Sequence, residues 1–327
     1  MLFKTKLDVL ENDIAKYDKR LLDLLLIDKT TKRNIVWATD DYSYMGEEYQ
    51  PDCEMLPELV TGENYLLVQP RVAKSMEEQE NRTRDKAEVF TPCWVCNAQN
   101  NLVDEEWFGY SGVFNTEIEE GWSVNRSKIV FSESGQKTWK KYVDAKRLEV
   151  SCGEAPYLVS RYDSVTGEII PITERIGLLD RKLRVVGENT ANKDDWFKWA
   201  LRAFQSVYGY EYQGDSLLLA RENLLATFIE YYCDRFDEDP SLKQLMQIAN
   251  VISWNIWQMD GIKYVVPGSC KPLITEELTL FGPRYYESPC PGCNKGLYDK
   301  HTGIYCKVFD WREKASLTFT SMLKGRI

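Results

Sequence analysis

The chain has 327 residues, 43% of them hydrophobic and 28% charged, with a net charge of −10. That length suits one large domain or two modest ones, and the composition is that of an ordinary globular protein. No window approaches the ~20 apolar residues of a membrane span, so no membrane partner is expected, and the acidic balance speaks against a stand-alone high-affinity nucleic-acid binder, whose phosphate contacts need clustered Lys and Arg.

The first twenty residues carry interspersed charges instead of a continuous apolar stretch, so they are not read as a secretory signal. With nine cysteines and no signal, a reducing, cytoplasmic location is expected, in which close Cys pairs serve metal binding more often than disulfides. Apolar residues at Leu7, Leu10, Ile14, Tyr17, Leu21, Leu24 and Leu25 predict one amphipathic helix over Leu7 to Leu26. A buried strand is predicted over Ile35 to Ala38, ending at the polar cluster Thr39-Asp40-Asp41-Tyr42. Residues 43–62 are turn-rich, Tyr65 to Val68 reads as a second strand, and Lys74 to Lys86 is charged throughout, as in an exposed helix or linker, which puts a domain boundary near residue 86. A turn-rich loop follows. Then come a strand at Leu148 to Ser151, a long insertion, a helix near Trp196 to Phe204, a strand at Ser206 to Glu211 and a helix from Ser216 to about Cys233. Strand and helix alternating in this rhythm predict an α/β fold with a mainly parallel sheet. The densest basic clusters, Lys137 to Lys141 with Lys146 and Arg147, and Arg181 to Arg184, read either as solvated surface or as a local nucleic-acid face.

The chemistry-bearing pattern is Val207-Tyr-Gly-Tyr-Glu211, followed by a helix bearing Ala220-Arg221-Glu222-Asn223-Leu224. A strand ending in an acidic residue places a carboxylate at the carboxyl end of a sheet, where it can accept ribose hydroxyls. Upstream, Glu149 to Leu158 is a strand running into the small-residue turn Cys152-Gly153-Glu154-Ala155, whose backbone a ligand can approach closely. These two segments resemble the first and second motifs of S-adenosylmethionine-dependent N6-adenine DNA methyltransferases of restriction systems, the family of restriction-modification M subunits. Two more pieces fall in the family's order: Lys86 to Pro92, with Phe90, Thr91 and Pro92 in the segment that covers the methionine end of the cofactor, and Asn255 to Gly261, with Asp260 at the adenine amino group.

The resemblance implies a Rossmann-like methyltransferase fold over residues 87–284, with S-adenosylmethionine held by Phe90, Thr91, Pro92, Glu149, Cys152, Gly153, Glu154, Glu211 and Asp260. Ala155 stands where the family has its second glycine, and Met259 replaces another. The family also needs an Asn/Asp/Ser-Pro-Pro-aromatic motif that receives the flipped base, and the chain has no such Pro-Pro. The nearest equivalent is the loop Asp40-Asp41-Tyr42, in the order of circularly permuted members; Asp310-Trp311 is the competing candidate, and a plain turn at a strand end is the alternative to both.

Near the C-terminus, Cys290-Pro-Gly-Cys293, His301 and Cys306 form a C-x2-C-x7-H-x4-C arrangement, which can close a tetrahedral structural zinc site. Cys93-x-x-Cys96 is a rival ligand pair, or else a helix start with small buried thiols. The expected organisation is an N-terminal helical and strand extension over 1–86, the methyltransferase core over 87–284 and a zinc-knuckle-like segment over 285–327. The expected function is adenine-N6 methylation of DNA, with a specificity or nuclease subunit as a possible companion. The alternatives are a non-catalytic assembly subunit and a methyltransferase of another substrate.

Overall fold

The computed structural model describes residues 7–74 and 91–323. The N-terminal amphipathic stretch forms two helices, α1 (Glu11–Tyr17) and α2 (Lys19–Leu26), instead of one. Asp18 breaks it: its backbone is extended (φ −161°), and its carboxylate caps α2 by accepting from Arg20 N at 2.9 Å. The strand predicted over Ile35 to Ala38 does not form: the segment makes only isolated bridges, Asn34 with Ile27 and Val36 with Glu54, and turns left-handed at Ala38 (φ 64°), and α3 (Pro57–Val60) follows. The stretch Tyr65 to Val68 is a turn, not the predicted strand.

From Cys93 to Phe108 the chain is helical (α4), where the sequence offered a turn-rich loop with a helix start at Cys93 to Cys96 as one reading of that pair. A hairpin, β1 (Asn115–Ile118) with β2 (Gly121–Val124), and the short helix α5 (Trp139–Asp144) lead into β3 (Arg147–Val150). Then come α6 (Leu178–Asn189), inside what the sequence presented as an insertion, α7 (Lys193–Phe204), β4 (Val207–Glu211), α8 (Gly214–Phe236), α9 (Leu242–Asn255) and β5 (Ile256–Gln258). The three strands pair in parallel in the order β3-β4-β5, with Glu149 opposite Gly209 and Glu211 opposite Gln258. The predicted α/β character with a parallel sheet is present. Among the described residues the sheet stops at three strands, one βαβαβ unit, where a doubly wound fold has two.

Helix α8 runs through the core, and its residues Gly214 to Tyr232 are all buried. Such a helix has to satisfy its polar side chains internally. Arg221 does so by donating to the carbonyl oxygens of Ile256, Leu25 and Ile27 at 2.8, 2.5 and 3.0 Å, which ties β5 and the end of α2 to the helix. Leucines of α2, Ile35, Trp37 and Val60 belong to the same hydrophobic core as α6 to α9.

The basic cluster at Arg181 to Arg184 is not a surface patch. Arg181 is buried and pairs with Asp104 of α4 at 2.6 Å, and Lys182 is buried between Ala145 O and Ser206 Oγ. Beyond β5, the hairpin β6 (Leu273–Thr279) with β7 (Gly282–Ser288) stands clear of the body, the short helix α10 (Pro291–Lys295) follows, and β8 (Lys307–Asp310) pairs with β9 (Ala315–Thr318) before α11 (Phe319–Leu323). Tyr210, Trp257, Met259, Cys306, Val308 and Phe319 make a second, smaller core there. No helix among the described residues is long and apolar enough to cross a membrane.

Candidate functional site

At the carboxyl ends of β3 and β4 lies a cavity of about 720 Å³, within the usual size of small-molecule sites. The loop after β3 shapes its floor: Ser151, Gly153 and Ala155 all have positive φ, at 49°, 51° and 65°. Ala155 therefore holds a left-handed conformation in which the family's glycine would be unstrained, and the turn survives with a Cβ in place. Three donors and one helix fix the loop. Glu149 reaches forward from β3 to accept from Tyr157 N and Leu158 N at 3.2 and 3.1 Å, and Glu211 accepts from Gly153 N at 2.8 Å. Asn223 of α8 donates to Glu154 O at 3.1 Å. The Ala-Arg-x-Asn segment thus serves the cavity from behind, by holding backbone.

Of the residues singled out from the sequence, Asp40, Thr91, Glu149, Cys152, Gly153, Glu154 and Glu211 line this one cavity. Phe90 lies outside the described residues. Pro92 starts α4 and does not line the cavity, nor does Asp260. Asp260 instead sits in a turn after β5, accepting from Ile262 N and Lys263 N and pairing with Lys263 Nζ at 3.1 Å. In the proposed target loop, Asp41 accepts from Thr39 Oγ1, and Tyr42 is turned into the core. Its ring packs 4.8 Å from that of Trp37 and its hydroxyl donates to Asp215 at 2.8 Å, so it is not placed to stack on a base. The rival pair is also engaged: Asp310 pairs with Lys146, and Trp311 donates to Asn255 at 2.8 Å. The aromatics that do line the cavity are Tyr157 and Tyr212, and Gln213 and Ser216 add polar groups. Tyr157 belongs to the first motif itself, whereas Tyr212, Gln213 and Ser216 had no signal in the sequence beyond adjacency to the second.

Two buried carboxyl groups, Glu149 and Glu211, line the cavity. Burial pushes Glu149 up to about 8, against the pull of the Tyr157 and Leu158 N–H donors. Burial also raises Glu211, opposed by the N–H groups of Gln213, Gly153 and Tyr212. Cys152 is held as a neutral thiol by burial and by both carboxylates, which removes it as a nucleophile.

A second constellation lies beyond β5. Cys270, Cys290, Cys293 and His301 place their ligand atoms within 4.8 Å of one another and can hold a metal ion. His301 Nδ1 is 3.6 Å from each of the three sulfurs, and Cys270 Sγ is 4.0 Å from Cys290 Sγ. Cys306, predicted as the fourth ligand, is elsewhere. It is fully buried in the smaller core with its thiol on Gln258 O at 3.3 Å, and Cys270 takes its place. Cys93 and Cys96 open α4 as buried thiols whose pKa values burial raises, that of Cys96 to about 12. Comparison with protein-family models, with curated proteins and with solved structures finds no match for the chain.

Proposed function

We propose that the chain binds S-adenosylmethionine in the cavity at the ends of β3 and β4, and that it is the methyltransferase subunit of a DNA adenine-N6 modification system with a Rossmann-like methyltransferase core. The carrying observation is convergence: Asp40, Thr91, Cys152 to Glu154 and Glu211, drawn from four separate stretches, open onto one cavity. The strand order β3-β4-β5 also agrees with one half of a doubly wound nucleotide-binding sheet, in which ligands sit beyond the carboxyl ends.

The donor set fits the cofactor in part. A carboxylate offers about four lone-pair sites, and Glu211 already receives three N–H donors, from Gly153, Tyr212 and Gln213. One ribose hydroxyl can be accepted as it stands, and a second requires one of those N–H groups to let go. Gly153 leaves its backbone open on the cavity side, since a Cβ there would meet nothing within 4 Å. Tyr157 and Tyr212 offer faces for a flat ring. When bound, the cofactor supplies an electrophilic methyl group. The chain's residues would then serve chiefly to orient donor and acceptor. Asp260, tied up in its own turn, has no role in this reading.

A specific observation favours a second reading, a methyltransferase-like subunit that binds cofactor without transferring methyl: Tyr42 is buried and hydrogen-bonded, and no Pro-Pro motif is present. Titration calorimetry with S-adenosylmethionine tests the shared step. A heat signal abolished by Glu211→Ala in a folded variant supports the cavity, and no heat with the wild-type chain removes both readings. Sequencing of DNA from a host lacking adenine methylation, after expression of the chain with and without companion subunits, then separates catalysis from binding.

For the Cys/His cluster the ion we propose is zinc. Zn–S bonds of about 2.3 Å and Zn–N bonds of about 2.0–2.1 Å in a tetrahedron imply S···N edges of about 3.6 Å and S···S edges of about 3.8 Å. The three S···N separations of 3.6 Å match the first of these edges, and the Cys270–Cys290 separation of 4.0 Å is slightly longer than the second, which supports the zinc reading.

A further inference from the structure

The ligands of the cluster stand at the feet of an exposed hairpin, where Lys271 also exchanges hydrogen bonds with Thr302, its carbonyl accepting from Thr302 Oγ1 at 2.5 Å and its N–H donating back at 3.2 Å. Cys270 comes three residues before β6 begins at Leu273, and Cys290 comes two residues after β7 ends at Ser288. Between them both strands are exposed along almost their whole length, and at the tip Leu280 and Phe281 are 100% and 96% exposed. A lone two-stranded hairpin is only marginally stable in water. This one has no apolar face buried against the body to support it.

We propose that the zinc ion held by Cys270, Cys290, Cys293 and His301 is a structural clamp that closes the foot of the β6–β7 hairpin, so that the hairpin is ordered only when the metal is bound. The proposal rests on the zinc assignment above and is independent of the cofactor cavity. Four protein ligands leave no open coordination position, the hallmark of a structural site. Binding ionises the three thiols, whose protons pass to solvent, and leaves imidazole neutral at the ligating nitrogen.

Two glycines show that the surrounding backbone is shaped around the ligands. A Cβ on Gly292 would lie 2.6 Å from His301 Cγ and Nδ1, and one on Gly303 would lie 2.9 Å from Cys270 Sγ. Both contacts are too close, so a side chain at either position forces neighbouring atoms, among them His301 or Cys270, to shift. Thr302 N also donates to Cys290 Sγ at 3.2 Å, the kind of N–H contact that steadies a metal thiolate. The backbone at His301 is fixed as well, its main-chain N–H donating to Tyr305 Oη at 2.8 Å.

The experiment combines metal analysis with hydrogen exchange on the full chain, purified without chelator. The expected result is one zinc per chain. Its removal by chelator should speed amide exchange across residues 271–289 at least tenfold while α8 stays protected, and added zinc, but not magnesium, should reverse the change. Cys270→Ser should lose both zinc and hairpin protection, Gly292→Ala should weaken zinc retention, and Cys306→Ala should keep the metal. Cobalt titration of the metal-free wild-type chain, read by thiolate charge-transfer absorption, gives the ligand count even if a variant fails to fold. A chain that retains neither zinc nor cobalt overturns the metal assignment. Bound zinc whose removal leaves exchange in 271–289 unchanged overturns the clamp alone, and loss of metal in Cys306→Ala with retention in Cys270→Ser overturns the ligand set.

Discussion

Glu149 carries the loop that floors the cavity, yet it does so as a buried acid. Burial holds it at about 8 in the folded chain against an ordinary 4.5. Below pH 4.5 the carboxyl is protonated in both states and its contribution is fully present. Between 4.5 and about 8 the unfolded chain releases a proton that the folded chain keeps, so this contribution to stability is lost as pH rises through that window. Glu149→Gln cannot ionise, and its single amide oxygen keeps an acceptor for one of Tyr157 N and Leu158 N, which bond to different oxygens of the Glu149 carboxyl group. Its urea midpoint should therefore drop less between pH 5 and pH 8 than the wild-type midpoint does, whereas equal drops would mean that Glu149 is already ionised when folded. Tyr42 makes the opposite point about a residue drawn from motif logic. Because its hydroxyl donates to the buried carboxylate of Asp215, Tyr42→Phe should cost about 1.5–3 kcal/mol in urea unfolding, the range for a hydrogen bond to a charged group. A cost below about 0.5 kcal/mol would return Tyr42 to the pool of residues free to meet a substrate.

The segment that brings Asp40 to the cavity depends on one close contact between elements. A Cβ at Gly214, the first residue of α8, would lie 2.2 Å from Val36 O and 2.7 Å from Met55 Sδ. Val36 cannot simply withdraw, because Gln258 both donates to its carbonyl and accepts from its N–H, at 2.7 and 2.8 Å. Gly214→Ala should destabilise the fold by about 1–3 kcal/mol or more, the cost of overpacking, and should weaken ligand binding in the cavity. A variant as stable as wild type would show that the 34–38 segment is free to shift. Strands β3 and β4 and helices α7 and α8 were legible in the sequence because apolar runs and turn residues bound them. Helix α4 was legible only at its start, where Pro92 precedes the buried pair Cys93 and Cys96, since the positions it buries further on include Asn97, Asn100 and Asp104, which conceal the apolar period. Their partner explains the choice: Arg181, buried in α6, donates to Asp104 and Asn97, and a pairing 77 residues away leaves no local trace. The same non-locality hid Cys270, separated from Cys290 by the whole β6–β7 hairpin, while Cys306, at a convenient spacing, is carried into the smaller core. The break at Asp18 was readable in principle, as a capping residue followed by Lys and Arg, but the apolar spacing ran straight through it.

The distribution of charge over the molecule decides how it can meet a polyanion. The net charge is −10, and the structure withdraws Arg181 and Lys182 into the interior, while Arg184 is tied to Glu188 at 2.8 Å. Of the other basic cluster, Lys146 is paired with Asp310, which leaves Lys140, Lys141 and their neighbours Lys137 and Arg147 as the main basic group identified from the sequence. Four such charges neutralise about four phosphates at most, and each released counterion contributes about 0.9 to the slope of log K against log salt. The pure chain should therefore bind a generic 20-base-pair duplex weakly, with a slope no steeper than about −4 between 50 and 200 mM NaCl. Lys140→Glu with Lys141→Glu should flatten that slope by about 2, since both residues are exposed, and it also removes the Lys140 ammonium from over the Trp139 and Trp199 rings, 5.6 and 5.4 Å away. A companion subunit would then have to supply most phosphate contacts in any DNA-modifying assembly, and its addition should steepen the slope. A slope near −8 for the chain alone, or one unaffected by the double charge reversal, would place the nucleic-acid contacts on a face other than this cluster.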